Sequence, residues 1–316
     1  MSGCVILAAG QGKRMRSNSP KVVHPVLGVP MVTRVLWQAL AAGLQNPTVV
    51  VGHGREEVIP LVEAEGGDWA VQEEQLGTAH AVSCGLNGAV NGSFTVLLGD
   101  VPLLRSETIS RLEGARAEAQ AAIAVLTTFP PDATGYGRIV RNDRGLEAIV
   151  EHRDCTPEQL KIGEINTGLM SFDGALLPEL LEEIDADNDQ SEFYLTDAVS
   201  IAISKGYKCI GVVAADCQEV SGVNNRVQLA AATEVMRRRV LDRLLMDGVN
   251  IPDPGTVWIE DTVTIGQGVT VGRCTRISGR TRIGDGCVIG DCSILEDAEI
   301  PAGTVIAPFT RRGGKV

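Results

Sequence analysis

The stretch Val5-Ile6-Leu7-Ala8-Ala9-Gly10-Gln11-Gly12-Lys13-Arg14-Met15 joins a short apolar run to a glycine loop with two cations. The apolar run predicts a buried strand. The glycines would let backbone N–H groups approach a phosphate, whose charge Lys13 and Arg14 can neutralise. A plain turn between a strand and a helix fits the same residues. A dinucleotide fingerprint is excluded because Met15 replaces its third glycine, and a Walker loop is excluded because Arg14 follows Lys13.

Short aliphatic runs alternate with helix-like segments around this stretch. Residues 5–7, 48–51, 95–98 and 123–126 have the pattern of strands, and residues 31–42 and 56–64 that of helices. This alternation predicts an α/β fold with a doubly wound, mainly parallel sheet. Such sheets bind ligands beside the carboxyl ends of their strands, so polar residues that follow strands are the candidate site residues.

A six-residue period distinguishes the end of the chain. The aliphatic residues that recur at this spacing are Ile259, Ile265, Val271, Ile277, Ile283 and Ile289. This period fits neither an ordinary helix nor an alternating strand, and it is typical of a left-handed parallel β-helix with three hexads in each coil. After Leu295 the phase slips by one residue, to Ile300 and Ile306, which predicts an irregular last coil.

The sequence predicts where the two folds meet. Residues 227–246 carry apolar side chains at helical spacing, and Pro252 and Pro254 follow them. We therefore predict a nucleotide-binding domain at 1–226, a connecting helix at 227–250 and a β-helix at 251–316.

Composition and charge exclude several classes of protein. The 316 residues are 44% hydrophobic and 22% charged, as in ordinary globular proteins. A formal charge of −12 repels phosphate backbones and anionic lipid, so we expect no nucleic-acid or membrane partner. Eight cysteines without a C-x-x-C pair argue against a zinc site or a disulfide framework. Without a basic leader or a long apolar stretch, the sequence predicts a reduced, cytoplasmic protein.

Three polar residues suggest phosphate and metal chemistry. Asp100 follows the apolar run 95–98 and a glycine, where a carboxylate can hold Mg²⁺ between phosphates or simply form a turn. Asn224 offers a neutral oxygen ligand or a cap for the helix that follows. Lys21 adds a cation near the glycine loop and favours phosphate binding there.

Amide and glycine-rich segments are candidate base and sugar contacts. Residues 72–79, QEEQLGTA, contain amides, and an amide presents a donor beside an acceptor, as the edge of uracil requires. A polar loop that caps a helix is the alternative. The same two interpretations apply to GYGR at 135–138, IVEH at 149–152 and EINTG at 164–168.

Together and in this order, these segments resemble the bacterial N-acetylglucosamine-1-phosphate uridyltransferases, whose usual form also carries a glucosamine-1-phosphate acetyltransferase. The resemblance also includes YLTD at 194–197 and GVNNR at 222–226, and it covers almost the whole chain. It implies a Rossmann-like nucleotide-diphospho-sugar transferase domain, a connecting helix and a short left-handed β-helix.

The resemblance also implies roles for individual residues. Catalysis would rest on Arg14, Lys21 and Asp100, the first two holding phosphates. The cofactor would be Mg²⁺, with Asp100 and Asn224 as its protein ligands. Uracil and ribose would contact Leu7, Ala8, Ala9, Gly10, Gln72, Gly77 and Thr78. The amino sugar would contact Gly137, Glu151, Asn166, Tyr194 and Thr196.

The implied reaction joins UTP to N-acetylglucosamine 1-phosphate and releases pyrophosphate, for cell-wall precursor synthesis by a homotrimer assembled through the β-helix. Leu98 stands where the family commonly has an aromatic residue. The family's solenoid continues beyond the position of Val316 to the acetyltransferase site, so we expect no acetyl transfer. The alternatives are another sugar 1-phosphate or nucleotide as substrate, and a non-catalytic subunit that senses nucleotide.

Overall fold

A computed structural model describes residues 3–86, 88, 91–143, 145–188 and 190–314. The chain forms two compact units, one of Met1–His24 with Met31–Asn225 and the other of Pro25–Pro30 with Arg226–Val316. The first is an α/β unit and the second contains a left-handed parallel β-helix, so the predicted fold class is confirmed.

The elements follow in chain order. The first strands are β1 Gly3–Leu7, β2 Pro25–Val26, β3 Val29–Pro30, β4 Thr48–Val51, β5 Asp68–Val71, β6 Ser93–Leu98, β7 Ile123–Thr128, β8 Arg138–Asn142, β9 Gly145–Val150, β10 Ile165–Asp173 and β11 Cys209–Val213. The helices are α1 Met31–Ala41, α2 Arg55–Ala64, α3 Thr78–Gly85, α4 Ser106–Ala119, α5 Leu177–Glu182, α6 Asp197–Ser204 and α7 Arg226–Met246. The later strands are β12 Trp258–Ile259, β13 Thr264–Ile265, β14 Thr270–Val271, β15 Arg276–Ser278, β16 Arg282–Ile283, β17 Val288–Ile289, β18 Ile294–Glu296, β19 Glu299–Ile300, β20 Val305–Ile306 and β21 Arg311–Gly313. Short 3-10 helices lie at Lys13–Met15, Lys21–Val23, Gln159–Lys161 and Pro254–Thr256.

The large sheet of the α/β unit is mainly parallel, with β10 reversed in its seven-strand path. Its order is β11-β7-β10-β6-β1-β4-β5, and the β8–β9 hairpin joins it at β10. Strand β10 is antiparallel to both β6 and β7, and its register shifts between Asn166 and Met170. This irregularity occurs where the sequence predicts a sugar contact.

Alternate residues of the central strands enter two hydrophobic cores. Val5 and Val50 belong to one core, whereas Ile6 and Val49 belong to the other, and all four are fully buried. A sheet covered on both faces needs continuous aliphatic strands, which is why β1 and β4 show no alternation with polar residues. The carboxyl ends of these strands remain available to build a site.

The hexad residues of the second unit stack in three parallel sheets. These sheets have the orders β12-β15-β18-β21, β13-β16-β19 and β14-β17-β20. The phase slip does not disturb the strands, since Ile283 pairs with Ile300 and Ile289 with Ile306. The shorter spacing is taken up in the turn between β18 and β19, residues 297–298, which is one residue shorter than the turn between β15 and β16, residues 279–281. The prediction of an irregular last coil is therefore wrong for its strands.

The connecting helix predicted at 227–250 is observed over Arg226–Met246 and belongs to the second unit. It ends early because Gly248, at a φ of 89°, takes the left-handed conformation that terminates helices. Among the described residues, no helix combines the length and apolar character needed to cross a membrane.

Candidate active site

Four predicted polar residues meet at the edge of the large sheet. The Lys21 ammonium forms an ion pair with Asp100 and donates to Asn224 Oδ1 at 2.9 Å. Arg14 donates from Nη2 to the same Asn224 oxygen at 2.9 Å. The side chains of Lys21 and Asp100 are only 15% and 17% exposed, so their charges are partly shielded from water. The structure thus places two cations, a carboxylate and an amide at one point.

The strand ends explain this convergence. Asp100 follows β6, which is fixed beside β1 by the bond from Gly99 N to Leu7 O at 2.9 Å. The Asp100 carbonyl accepts from Val223 N at 2.8 Å, which brings the loop with Asn224 to the same edge. A Cβ on Gly222 would lie at an ordinary contact distance of 3.6 Å from Asp100 Oδ2, so this loop lies directly beside the carboxylate.

The donor set fits a magnesium ion that arrives with a polyphosphate. Asp100 and Asn224 each contact the Lys21 ammonium through an oxygen, so two hard oxygens already converge on one cationic group. No cluster of three His, Cys, Asp or Glu side chains suited to a metal occurs in the described part of the chain. One carboxylate and one amide form a sparse set, which suits Mg²⁺ because this ion completes its shell with phosphates and water.

A cleft extends from this point along the ends of β1, β5 and β6. Its lining comprises Leu7, Ala8, Ala9, Gly10, Lys21, Val22, Gln72, Gln75, Gly77, Thr78, Ala81, Leu98, Asp100 and Glu192. Every residue that the sequence predicts around uracil and ribose is in this lining. The structure therefore brings the predicted base contacts into one cleft with Lys21 and Asp100.

Hydrogen bonds fix the two amide side chains that line the cleft near the predicted base contacts. Gln72 is only 4% exposed, and its Nε2 donates to Gly77 O at 3.0 Å. Gln75 donates from Nε2 to Ala9 O at 2.7 Å, which fixes its position against the glycine loop. Both amides are thus held by backbone carbonyls in the orientation that they present to a ligand.

The loop before α3 is bound to the segment before α6. Leu76 O accepts from Phe193 N at 2.8 Å, and Phe193 O accepts from Ala79 N at 2.9 Å. Thr78 Oγ1 accepts from Leu195 N at 2.9 Å. Gly77 lies between these bonds at a φ of 121°, with backbone atoms of Phe193 in the space that a Cβ would need. This close contact explains the glycine at position 77.

The predicted sugar contacts form a second group, next to this segment. Thr196 donates to Glu151 Oε1 at 3.3 Å, and a Cβ on Gly137 would lie 3.4 Å from both oxygens of the same carboxylate. Asn166 donates its backbone N–H to Gly137 O at 2.9 Å, and its Oδ1 accepts from Gly168 N at 2.9 Å. These four predicted residues are therefore neighbours.

Tyr194 differs from the other predicted sugar contacts. Its side chain is 8% exposed, and its hydroxyl is hydrogen-bonded to Gln190 Nε2. Like the four residues around Glu151, Tyr194 does not line the cleft, although its chain neighbours anchor Thr78 and Glu151. The arrangement suits a supporting role for this ring.

Burial shapes the titration of Glu151 and gives a stability prediction. Desolvation raises the pKa of this carboxyl above its ordinary value, partly offset by the Thr196 hydrogen bond. The ionised form of Glu151 therefore lowers the free energy of unfolding. This loss develops as the pH rises from the unfolded-state carboxyl pKa of about 4.3 to the raised pKa of the folded state. Glu151→Gln keeps an oxygen for Thr196, so we expect a higher Tm than the wild type near neutral pH.

Thermal unfolding from about pH 4 to pH 8 measures this difference. The expected advantage of Glu151→Gln is small at the acid end and largest above the raised pKa. Glu147→Gln is the matched control, because Glu147 is an exposed carboxylate on β9, the strand that ends immediately before Glu151. An advantage of Glu151→Gln that did not change with pH would contradict the assignment.

Three polar residues in or near the cleft were not among the predicted site residues. Gln75 belongs to the amide-containing segment 72–79, so the sequence pattern did include it. Glu192 lines the cleft from just before YLTD, where no pattern pointed to it. Tyr136 lies near the phosphate end, since burial and then the Asp100 carboxylate raise the pKa of its hydroxyl while Arg14 opposes them.

The comparisons with known proteins agree with this geometry. Residues 4–156 match the family model of the MobA-like NTP transferase domain. The bifunctional protein GlmU of Streptomyces avermitilis is 46% identical over 82% of this chain and 55% of the relative. GlmU of Corynebacterium aurimucosum is 43% identical over 83% and 55%, respectively. The chain thus spans about half the length of these curated relatives.

A solved structure from Bacillus anthracis, named as a candidate glucose-1-phosphate thymidylyltransferase in complex with a sucrose, has the same fold. It superposes with a TM-score of 0.60 at 20% identity, over 74% of this chain and 95% of that one. The fold and the site define this chain as a member of the nucleotidyltransferase class. Within that class, the chain belongs to the family of the bifunctional protein GlmU.

Proposed function

We propose that the α/β unit transfers the uridylyl group of UTP to N-acetylglucosamine 1-phosphate, which yields UDP-N-acetylglucosamine, a cell-wall precursor, and pyrophosphate. One observation carries the proposal. A single cleft is lined both by Gln72 and Thr78 and by the ion pair of Lys21 and Asp100. The group around Glu151 adjoins the same cleft through the segment that holds Thr78.

The chemistry needs positioning and charge neutralisation rather than a general base. The sugar phosphate attacks through an oxygen that is already anionic, the new P–O bond forms at the α-phosphorus, and pyrophosphate leaves with the electron pair of the broken bond. Arg14 and Lys21 would hold the phosphates in line, since both reach the cluster around Asn224. Mg²⁺, held by Asp100 and Asn224, would supply additional neutralisation of phosphate charge.

Pyrophosphate release tests the proposal across a matrix of substrates. UTP, dTTP and CTP are each combined with N-acetylglucosamine 1-phosphate, glucose 1-phosphate and galactose 1-phosphate, with Mg²⁺ and with a chelator. Release confined to UTP, the N-acetyl sugar and Mg²⁺ supports the proposal. Another preferred pair would assign the enzyme to a different sugar nucleotide, and no release from folded protein would favour a nucleotide-sensing subunit.

Assembly as a homotrimer and a cytoplasmic location stay predictions from the sequence. The β-helix does present outward apolar side chains, since Val288 and Val305 pair in adjacent strands and are 44% and 73% exposed. Covering such a surface is a common reason for subunits to associate. The expected absence of acetyl transfer also stays a prediction.

A further inference from the structure

A histidine outside the cleft lining contacts the amide at the base end. His80 lies on α3, and its Nδ1 is 3.2 Å from Gln72 Nε2. The same Gln72 nitrogen donates to Gly77 O at 3.0 Å. On the other side of the ring, His80 Nε2 lies 3.7 Å from Cys84 Sγ, one helical turn further on. The imidazole therefore bridges the base-binding amide and a thiol.

Hydrogen-bond chemistry allows one arrangement of these groups. The Gly77 carbonyl can only accept, so the NH₂ of Gln72 must face it. The second hydrogen of that NH₂ points to His80 Nδ1, which must accept it through a lone pair. The ring is then neutral, with its hydrogen on Nε2 towards Cys84. In a protonated ring, the Nδ1–H of His80 would face the NH₂ of Gln72, and two donors cannot form a hydrogen bond with each other.

The arrangement decides what Gln72 offers to a ligand. With both NH₂ hydrogens engaged, its carbonyl oxygen is the polar atom that remains for the cleft. An acceptor in this place suits a pyrimidine that carries a hydrogen on N3, as uracil does, and opposes cytosine, whose N3 is itself an acceptor. The orientation of one amide can thus select the base.

We propose that neutral His80 is a positioning residue that holds Gln72 in its acceptor orientation, so that proton uptake by this ring weakens binding of the uracil nucleotide. The inference rests on the proposed function for the identity of the nucleotide. It goes beyond that function in assigning base selection and its pH dependence to a residue that does not line the cleft.

Within the described ranges, few charged and titratable groups surround the ring. Cys84 lies on the same helix, and Glu182 of α5 lines a small cavity together with His80. The other titratable side chains on elements packed against α3 are Cys4 on β1, Asp68 on β5 and Glu179 on α5.

Two variants separate positioning from mere packing. In His80→Asn, the carboxamide oxygen can replace Nδ1 as acceptor without taking a proton. In His80→Leu, no acceptor remains. The Mg²⁺ complex of UTP is titrated into each protein by calorimetry, and KM and kcat are measured in parallel, from about pH 8 to about pH 5. The ionisation of the nucleotide changes with pH in the same way in every titration, so differences between the pH profiles of the variants arise from the protein.

For the wild type we expect UTP binding to weaken about tenfold towards acid pH, the worth of about one hydrogen bond, with kcat changing less. His80→Asn should keep the tight binding at both ends. His80→Leu should bind weakly at every pH and discriminate less against CTP. Tight, selective binding by His80→Leu, or an unchanged acid loss in His80→Asn, would overturn the proposal. Wild-type protein that binds UTP without releasing pyrophosphate would defeat the proposed function but leave this test intact.

Discussion

Replacing Asp100 with Asn should lower kcat about a thousandfold while the protein stays folded. Asp100 is the carboxylate of the candidate magnesium site, and an amide of the same shape removes its charge. The activation constant for Mg²⁺ should rise in parallel. The Tm should fall as well, because the largely buried Lys21 ammonium loses its charged partner, but the protein should stay folded since Lys21 keeps its 2.9 Å bond to Asn224. Pyrophosphate release at several Mg²⁺ concentrations, together with thermal unfolding, measures these effects.

The matched control for Asp100→Asn is Glu118→Gln. Glu118 is an exposed carboxylate on α4, so its substitution makes the same change in net charge away from the cleft. We expect wild-type turnover from this control. If Asp100→Asn kept full turnover with an unchanged Mg²⁺ requirement, the metal site would have to lie elsewhere and the proposed mechanism would fail.

Local patterns in the sequence were enough to predict most of the fold. The aliphatic runs at 48–51 and 95–98 are strands, and the hexads at Ile259 and Ile277 stack as predicted. These patterns indicate which side chains are buried, and a strand needs buried side chains whatever its position in the sheet. The position and direction of β10 were not predictable in this way. They depend on its pairing with β6 and β7, and no residue pattern within β10 identifies those two strands as its partners.

The residues of the candidate site likewise include some that local sequence patterns predict and some that they do not. Asp100 was predictable because it follows a buried strand, and all such ends of parallel strands meet at one edge. The contact of Asn224 with Lys21 joins residues 203 positions apart, so spacing alone could not show it. Nor could the sequence reveal Glu192 or the packing of Leu98, whose side chain fills the space beside Gly168.

The substitution Gly77→Ala should lower kcat/KM strongly, because it forces the backbone around the cleft to move. Gly77 has a φ of 121°, and an added Cβ would lie 2.5 Å from Phe193 O and 2.6 Å from Phe193 N. Backbone atoms cannot yield as a flexible side chain can, so the loop and the 193–195 segment must separate. That movement would displace Thr78, whose hydroxyl binds Leu195 N, and the carbonyl that orients Gln72. A misplacement of about 1 Å is enough to lower kcat/KM about a hundredfold.

The KM values for both substrates measure this effect, because the bonded segment holds Thr78 at the base end and Thr196 beside Glu151. We expect both KM values to rise in Gly77→Ala, together with a lower Tm. Gly114→Ala is the control: Gly114 lies inside α4 with no heavy atom within 4 Å of an added Cβ, so the helix should gain up to about 1 kcal/mol with kinetics unchanged. A rise in the KM for UTP alone would show that the bonds to Phe193 and Leu195 do not couple the two ends of the site.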